Sequence, residues 1–129
     1  PAGVLRVNRD GIVTEMKGFL ERLGFDLLNR DLARTCAAIG MVDENNVPVT
    51  VESCPVLRCL EQGTDLSEFL RGWHATDLAE MNWFRCSIRI VHDPLGAREA
   101  LVSVQDVTAE RRAAERLRQI VDGVSANVG

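Results

Sequence analysis

Four cysteines and two histidines are the side chains of this sequence best suited to redox or metal chemistry. The intervals between successive cysteines are 17, 4 and 26 residues, for Cys36, Cys54, Cys59 and Cys86. A four-thiolate zinc or iron–sulfur site normally contains a close pair of cysteines, which this sequence lacks. The spacing therefore predicts separate reduced thiols and no metal site. A redox or metal sensor that acts through the cysteines is the alternative interpretation.

Cys54 is the redox candidate because of the residue that follows it. Pro55 suits the first position of a helix, and the sequence predicts a helix over Pro55–Gln62 that Gly63 ends. A thiol at the N-cap faces the backbone N–H groups of the helix start, which favours the reactive thiolate. Cys59 lies on another face of this helix, so the two thiols should not form a disulfide.

Signatures of catalysis and of cofactor binding are missing from the sequence. His74 and His92 are the two histidines that could ligate haem, and both are predicted at strand edges or on the surface. Cys54-Pro55 also resembles the Cys-Pro dipeptide through which some regulators bind haem, but two residues are a weak signal. No Ser/His/Asp set, glycine-rich phosphate loop or HExxH zinc motif occurs. We therefore expect a regulatory rather than an enzymatic chain, with no tightly bound cofactor.

Composition limits the remaining classes of function. The chain has 129 residues, 46% of them apolar, which is enough for one domain with one core. A net charge of -4 provides no general attraction to phosphate and argues against nucleic-acid binding. No apolar run approaches the roughly 20 residues of a membrane span, so we expect no membrane contact by this chain. Four cysteines are too few for a disulfide scaffold in a chain of this size, which favours reduced thiols in a cytoplasmic setting.

Hydrophobic periodicity predicts the elements that position these residues. Strands are predicted at residues 4–7, 12–16, 66–73, 84–90 and 99–107, with short helices between residues 18 and 53 and a polar segment at 75–82. An Asp-Gly turn joins the first two strands, and a turn at residues 93–96 joins the last two. Alternation in the last two strands predicts a half-buried antiparallel pair whose apolar face carries Phe84, Cys86, Ile88, Val102 and Val104.

A C-terminal helix is predicted over residues 108–124, with Thr108 as its N-cap and Glu110 in its first turn. Its apolar residues recur at intervals of four, three and four, at Ala113, Leu117, Ile120 and Val124. This spacing is typical of a coiled-coil seam and predicts a parallel homodimer. The alternative is a helix that packs its apolar face back on its own sheet.

Segments at both ends of the sequence resemble a known family. The stretch DVTAERRAAERLR, which begins at Asp106, is similar to the last strand and following helix of PAS domains, sensory modules of bacterial signal transducers. VLRVNRDGIV, which begins at Val4, resembles the first hairpin of that family. Leu23-Gly24-Phe25 lies where a Leu-x-Gly-Tyr-like step is usual, whereas Met16 replaces an asparagine that the family often places near the end of the second strand.

The resemblance implies an α+β fold. Its parts are a five-stranded antiparallel sheet in the order 2-1-5-4-3, short helices on one face of the sheet and a C-terminal amphipathic signalling helix. Residues 1–108 would form the sensory domain and residues 109–129 the signalling helix. The reactive-cysteine helix of the flavin photosensors in this family is missing, which argues against a flavin.

PAS folds host many ligands, so the resemblance implies a class of function rather than a ligand. The resemblance also implies a pocket between the sheet and the helices, which the apolar residues Phe84, Cys86, Ile88, Val102 and Val104 would line. We expect a non-catalytic sensory and dimerisation module that responds to a small ligand in this pocket or to the state of its packed core. The signal would reach the terminal helix through four residues, Asp106, Thr108, Glu110 and Arg111. The final Ala-Asn-Val-Gly resembles the segment before the phosphorylated histidine of sensor histidine kinases. A histidine kinase is therefore the expected output domain. Diguanylate cyclases and chemoreceptors, which also contain PAS domains, are the alternatives.

Overall fold

The structure is a computed structural model that describes residues 2–22, 26–74 and 80–128. Its elements in chain order are β1 (Ala2–Val7), β2 (Val13–Gly18), a short 3₁₀ helix (Phe19–Arg22), α1 (Leu32–Ala38), α2 (Pro55–Gln62), β3 (Leu66–His74), β4 (Met81–His92), β5 (Arg98–Asp106) and α3 (Thr108–Val128). The strands form one antiparallel sheet in the order β2-β1-β5-β4-β3. The predicted strand order is confirmed.

Tight turns at the two hairpins follow from the residues predicted to form them. In the first hairpin the side chain of Asn8 accepts backbone N–H bonds from Asp10 and Ile12 at 2.9 and 3.0 Å. Gly11 adopts a φ of 81°, a left-handed conformation that glycine reaches without a steric cost. In the second hairpin Asp93 accepts the backbone N–H groups of residues 95 and 97 in the same manner.

The core lies between one face of the sheet and the helices. Val7, Val13 and Ala100 are fully buried on the inner face of the sheet. On α2 the face predicted to be apolar is buried against them, and the helix ends at Gly63 as expected. A free helix of eight residues would be marginal in water, and burial of its apolar side chains against the sheet stabilises α2.

The predicted polar segment at residues 75–82 is wrong at its end, because β4 already begins at Met81. Met81 and Asn82 pair with His74 and Trp73 of β3, and this ladder satisfies backbone groups that a polar loop would leave to water. Pairing thus overrides the low strand propensity of asparagine. Residues 75–79 and Leu23-Gly24-Phe25 lie outside the described parts of the chain.

Thr108 is the first residue of α3 rather than its N-cap. The carboxylate of Asp106 accepts the backbone N–H of Thr108 at 2.9 Å, so the acidic residue two positions earlier provides the side-chain bond at the helix start. The hydroxyl of Thr108 is directed towards β4 instead. None of the helices in the described ranges has the length and hydropathy that a bilayer crossing requires.

Candidate functional site

An apolar cavity of about 80 Å³ lies between the inner face of the sheet and the helices. Four of the five residues predicted for a ligand pocket line it, namely Phe84, Cys86, Val102 and Val104. Ile88 is buried in the core, opposite Val102 in the sheet, and does not line the cavity. Ligand pockets for drug-sized molecules are several times larger, so a haem or flavin does not fit this space.

Thiols form part of the cavity wall. Cys36 of α1, Cys54 at the start of α2 and Cys86 of β4 all line it, although they are distant in sequence. Burial raises the pKa of Cys36 and of Cys86 from 9.0 to about 12. Part of the rise at Cys36 comes from the neighbouring thiols Cys54 and Cys86, while the guanidinium of Arg71 opposes the rise at both thiols. At neutral pH these two side chains therefore contribute neutral, weakly polar surface.

All four cysteines are free, so Cys54 and Cys59 form no disulfide, as expected. Cys59 is buried on the inner face of α2, and desolvation raises its thiol pKa. Cys54 occupies the predicted N-cap with extended backbone angles, but its thiol makes no capping hydrogen bond. Among the described residues no group of three or more His, Cys, Asp or Glu side chains is arranged to hold a metal ion.

Arg71 is a charged residue in the wall of this apolar cavity, and the sequence analysis missed it. It lies on β3, opposite Phe84 of β4. Its Nη1 donates to the carbonyl of Leu70 at 2.8 Å, and its Cζ lies 4.8 Å from the ring centroid of Phe69. The signal in the sequence was the order Phe69-x-Arg71-x-Trp73, which places an arginine between two large apolar residues on one face of a strand.

A junction between β4 and the start of α3 forms the second part of the site. The hydroxyl of Thr108 accepts the backbone N–H of Trp83 at 3.0 Å, and the N–H of Val107 donates to the Trp83 carbonyl at 2.9 Å. The guanidinium Cζ of Arg111 lies 4.0 Å from a Trp83 ring centroid, a cation–π contact. Thr108 is only 8% exposed, so its hydrogen bonds are shielded from water.

Ion pairs extend this junction along β4. Glu110 contacts Arg85 at 3.8 Å, and Arg85 in turn contacts Glu68 of β3 at 2.8 Å. Arg112 contacts Glu80 at 2.9 Å. These pairs are exposed and each stabilises the fold little. The structure thus places all four residues predicted for signal transmission at the point where β4, β5 and α3 meet.

Trp83 occupies the outer side of the sheet, on top of Gly72 in the neighbouring strand. A Cβ at position 72 would lie 2.9 Å from a carbon of the indole ring, so glycine is required for this close approach. Trp83 is 6% exposed, because Gly72 lies beneath it and Arg111 covers its ring. The indole is therefore enclosed between the sheet and α3.

The apolar seam predicted on α3 does not pack on the sheet. Leu117 and Ile120 are 62% and 59% exposed, and Ala113 is exposed as well. The side chain of Val124 lies outside the described part of the chain. For the described seam residues, the alternative of a helix folded back on its own domain is therefore wrong.

No protein-family model and no curated protein matches the sequence. The fold is similar to several solved structures. The N-terminal domain of a diguanylate cyclase with PAS/PAC sensor from Marinobacter aquaeolei matches with a TM-score of 0.57 at 19% identity, over 86% of this chain and 99% of that one. A sensory box histidine kinase/response regulator from Burkholderia thailandensis matches with a TM-score of 0.55 at 14% identity, over 97% of this chain and 91% of that one.

The PAS domain of an HTR-like protein from Haloarcula marismortui matches with a TM-score of 0.54 at 15% identity, over 82% of this chain and 81% of that one. This chain has the sheet order β2-β1-β5-β4-β3 that the family resemblance implies, and its whole fold matches these solved structures. The chain therefore has the PAS fold.

Proposed function

We propose that this chain is a non-catalytic sensory and dimerisation module of a bacterial signal transducer. It senses a small ligand in the apolar cavity, or the packing state of that core, and passes the state to α3. One observation carries the proposal, because two adjacent residues of β4 serve the two parts of the site. Phe84 lines the cavity, while Trp83 holds the start of α3 through Thr108 and Arg111.

The sheet register supports the same coupling through β5. Phe84 pairs directly with Asp106, whose carboxylate accepts the backbone N–H of Thr108. A change in the cavity that displaces β4 therefore acts on two contacts at the start of α3. One is the bond from the Trp83 N–H to the Thr108 hydroxyl, and the other is the bond from the Thr108 N–H to the Asp106 carboxylate. Packed interiors transmit such displacements because they contain few voids that could absorb them.

The output of the module is the exposed seam of α3. Apolar side chains that remain exposed at intervals of three and four residues favour pairing with a second copy in a parallel coiled coil. Residues 109–129 would then act as the signalling helix, with residues 1–108 as the cytoplasmic sensory domain. A histidine kinase is the output favoured by the final Ala-Asn-Val-Gly. A diguanylate cyclase is the alternative output, since solved neighbours of both kinds share the fold.

Filling the cavity from α1 tests the coupling directly. Ala33 is buried and lines the cavity, so Ala33→Leu places three extra carbons in it. We expect hydrogen exchange at the backbone N–H groups of Trp83 and Thr108 to change by at least about threefold, because Trp83 precedes the cavity-lining strand residue Phe84 in the same β4 and its N–H binds Thr108. The matched control is Ala38→Leu on the exposed side of the same helix, which should leave both rates unchanged. Unchanged rates in Ala33→Leu would refute the coupling.

A redox or metal sensor is the second candidate function, and the three thiols that share the cavity favour it. Against it, burial raises the pKa of Cys36 and Cys86 to about 12, which keeps these thiols protonated and poor as ligands or nucleophiles. Metal analysis and an ultraviolet–visible spectrum of protein purified without oxygen separate the two candidates. A coloured or metal-loaded sample would favour the sensor that uses its cysteines.

A further inference from the structure

The position of Arg71 is unusual for a cation. The inner face of β3 reads Phe69, Arg71 and Trp73, and the residue paired with Arg71 is Phe84. An arginine at a core-facing position normally has a carboxylate partner, because burying an unpaired charge is costly. Within the described parts of the chain Arg71 forms no ion pair, and its contacts are the Leu70 carbonyl and the ring of Phe69.

Arg71 also lies where two spaces meet. The side chains shared by the apolar cavity and a polar cleft outside it include Thr50, Phe69 and Arg71. Three acidic residues line the cleft. Glu68 contacts Arg85 at 2.8 Å, and the carboxylate of Asp43 accepts backbone N–H bonds within its own turn. Glu44 is exposed, and within the described parts of the chain it forms no ion pair with Arg71. The guanidinium therefore remains available at the mouth of the cavity.

We propose that the cavity and Arg71 together bind a short-chain aliphatic monocarboxylate. The alkyl chain would occupy the apolar cavity, and the carboxylate would pair with the guanidinium at its mouth. This inference rests on the proposed role of the cavity as a ligand site. A cavity of about 150 Å³ accepts benzene with its six carbons, so the volume of about 80 Å³ here suits a chain of roughly three or four carbons.

The apolar cavity and the guanidinium of Arg71 together predict how binding affinity varies between ligands. Each methylene group that enters the cavity should strengthen binding about fourfold, until the space is full. A carboxylate on a guanidinium forms charge-assisted hydrogen bonds, often two in parallel, which a hydroxyl of the same chain length cannot form. Pentanoate should therefore bind at least about tenfold more tightly than 1-pentanol, as the loss of one charge-assisted hydrogen bond predicts.

Titration of the ¹⁵N-labelled chain with pentanoate, followed by NMR, tests the proposal. We expect shifts at residues that line the cavity, and Arg71→Gln should weaken pentanoate binding at least about tenfold while leaving 1-pentanol binding unchanged. The control Arg89→Gln removes an exposed arginine from β4, where it alternates with the inward-facing residues, and should change neither affinity. Acetate, with one carbon beyond its carboxylate, should bind much more weakly than pentanoate.

The outcomes separate this inference from the proposed function. If 1-pentanol binds in the cavity as tightly as pentanoate, or if Arg71→Gln leaves pentanoate binding unchanged, the carboxylate site is wrong and the ligand-sensing role stands. If neither compound produces shifts at the cavity at millimolar concentration, the carboxylate site is overturned together with its basis in ligand binding. The coupling measured with Ala33→Leu is independent of both results.

Discussion

Folding stability should fall steeply with rising pH above pH 9, because of two thiols in the cavity wall. Burial raises the pKa of Cys36 and Cys86 from 9.0 to about 12 in the folded chain. Between these values the unfolded chain releases thiol protons that the folded chain retains, so the free energy of unfolding decreases as pH rises. Below about pH 8 both states keep these protons, so the stabilisation that the two thiols provide is fully present there.

The expected size follows from the two pKa values. Between pH 8 and pH 10 each thiol should lower the free energy of unfolding by about 1.4 kcal/mol, and the two together by about 3 kcal/mol. Desolvation also raises the pKa of Cys59, which adds to the loss in the same direction. Few other side chains titrate in this pH range, since the sequence contains no tyrosine and Lys17 is its single lysine.

Urea unfolding at pH 8, 9 and 10, followed by tryptophan fluorescence, measures this slope. Cys36→Ala and Cys86→Ala should each remove roughly half of it, whatever they do to stability at pH 8. Lys17→Gln is the control, because it removes the lysine without touching the cavity. If the double cysteine variant keeps the full slope of the unmodified chain, the apolar surroundings assigned to these thiols are wrong.

Two further predictions concern the terminal helix and the remaining reactive thiol. Light scattering at high micromolar concentration should show a dimer, which the double substitution Leu117→Asp with Ile120→Asp converts to a folded monomer. The control Arg118→Asp with Gln119→Asp changes the opposite side of α3 and should stay dimeric. A monomeric unmodified chain would contradict the predicted seam. Brief alkylation at pH 8 followed by mass spectrometry should label Cys54 first, because burial raises the pKa of the other three thiols. Earlier labelling of Cys36 or Cys86 would refute this order.

Local signals were sufficient for most of the elements. Alternation from Phe84 to Ile90 predicts a half-buried strand, and the structure confirms it. Pro55 and Gly63 mark the ends of α2, since a fixed φ suits the first residue of a helix and a left-handed φ suits its end. Each of these signals depends on the conformations of a few neighbouring residues, which the sequence alone specifies.

Boundaries that depend on a partner strand were harder to predict. The first residues of β4 carry no strand signal of their own, and their pairing with β3 determines that they are extended. The role of Thr108 was misassigned for a similar reason. Its hydroxyl binds the backbone of Trp83, a residue 25 positions away, so the local N-cap pattern did not reveal its partner.

The sequence by itself predicted which side of β4 and of β5 is apolar and where apolar residues recur on α3, because these follow from the repeat of a strand and of a helix. Only the tertiary structure decided that Cys36, Cys54 and Cys86 share one cavity, that Ile88 lies outside it and that Arg71 stands at its mouth. The physical reason is that an enclosed space is formed by whichever elements become neighbours. Adjacency between α1, α2 and four strands leaves no periodic trace along the chain.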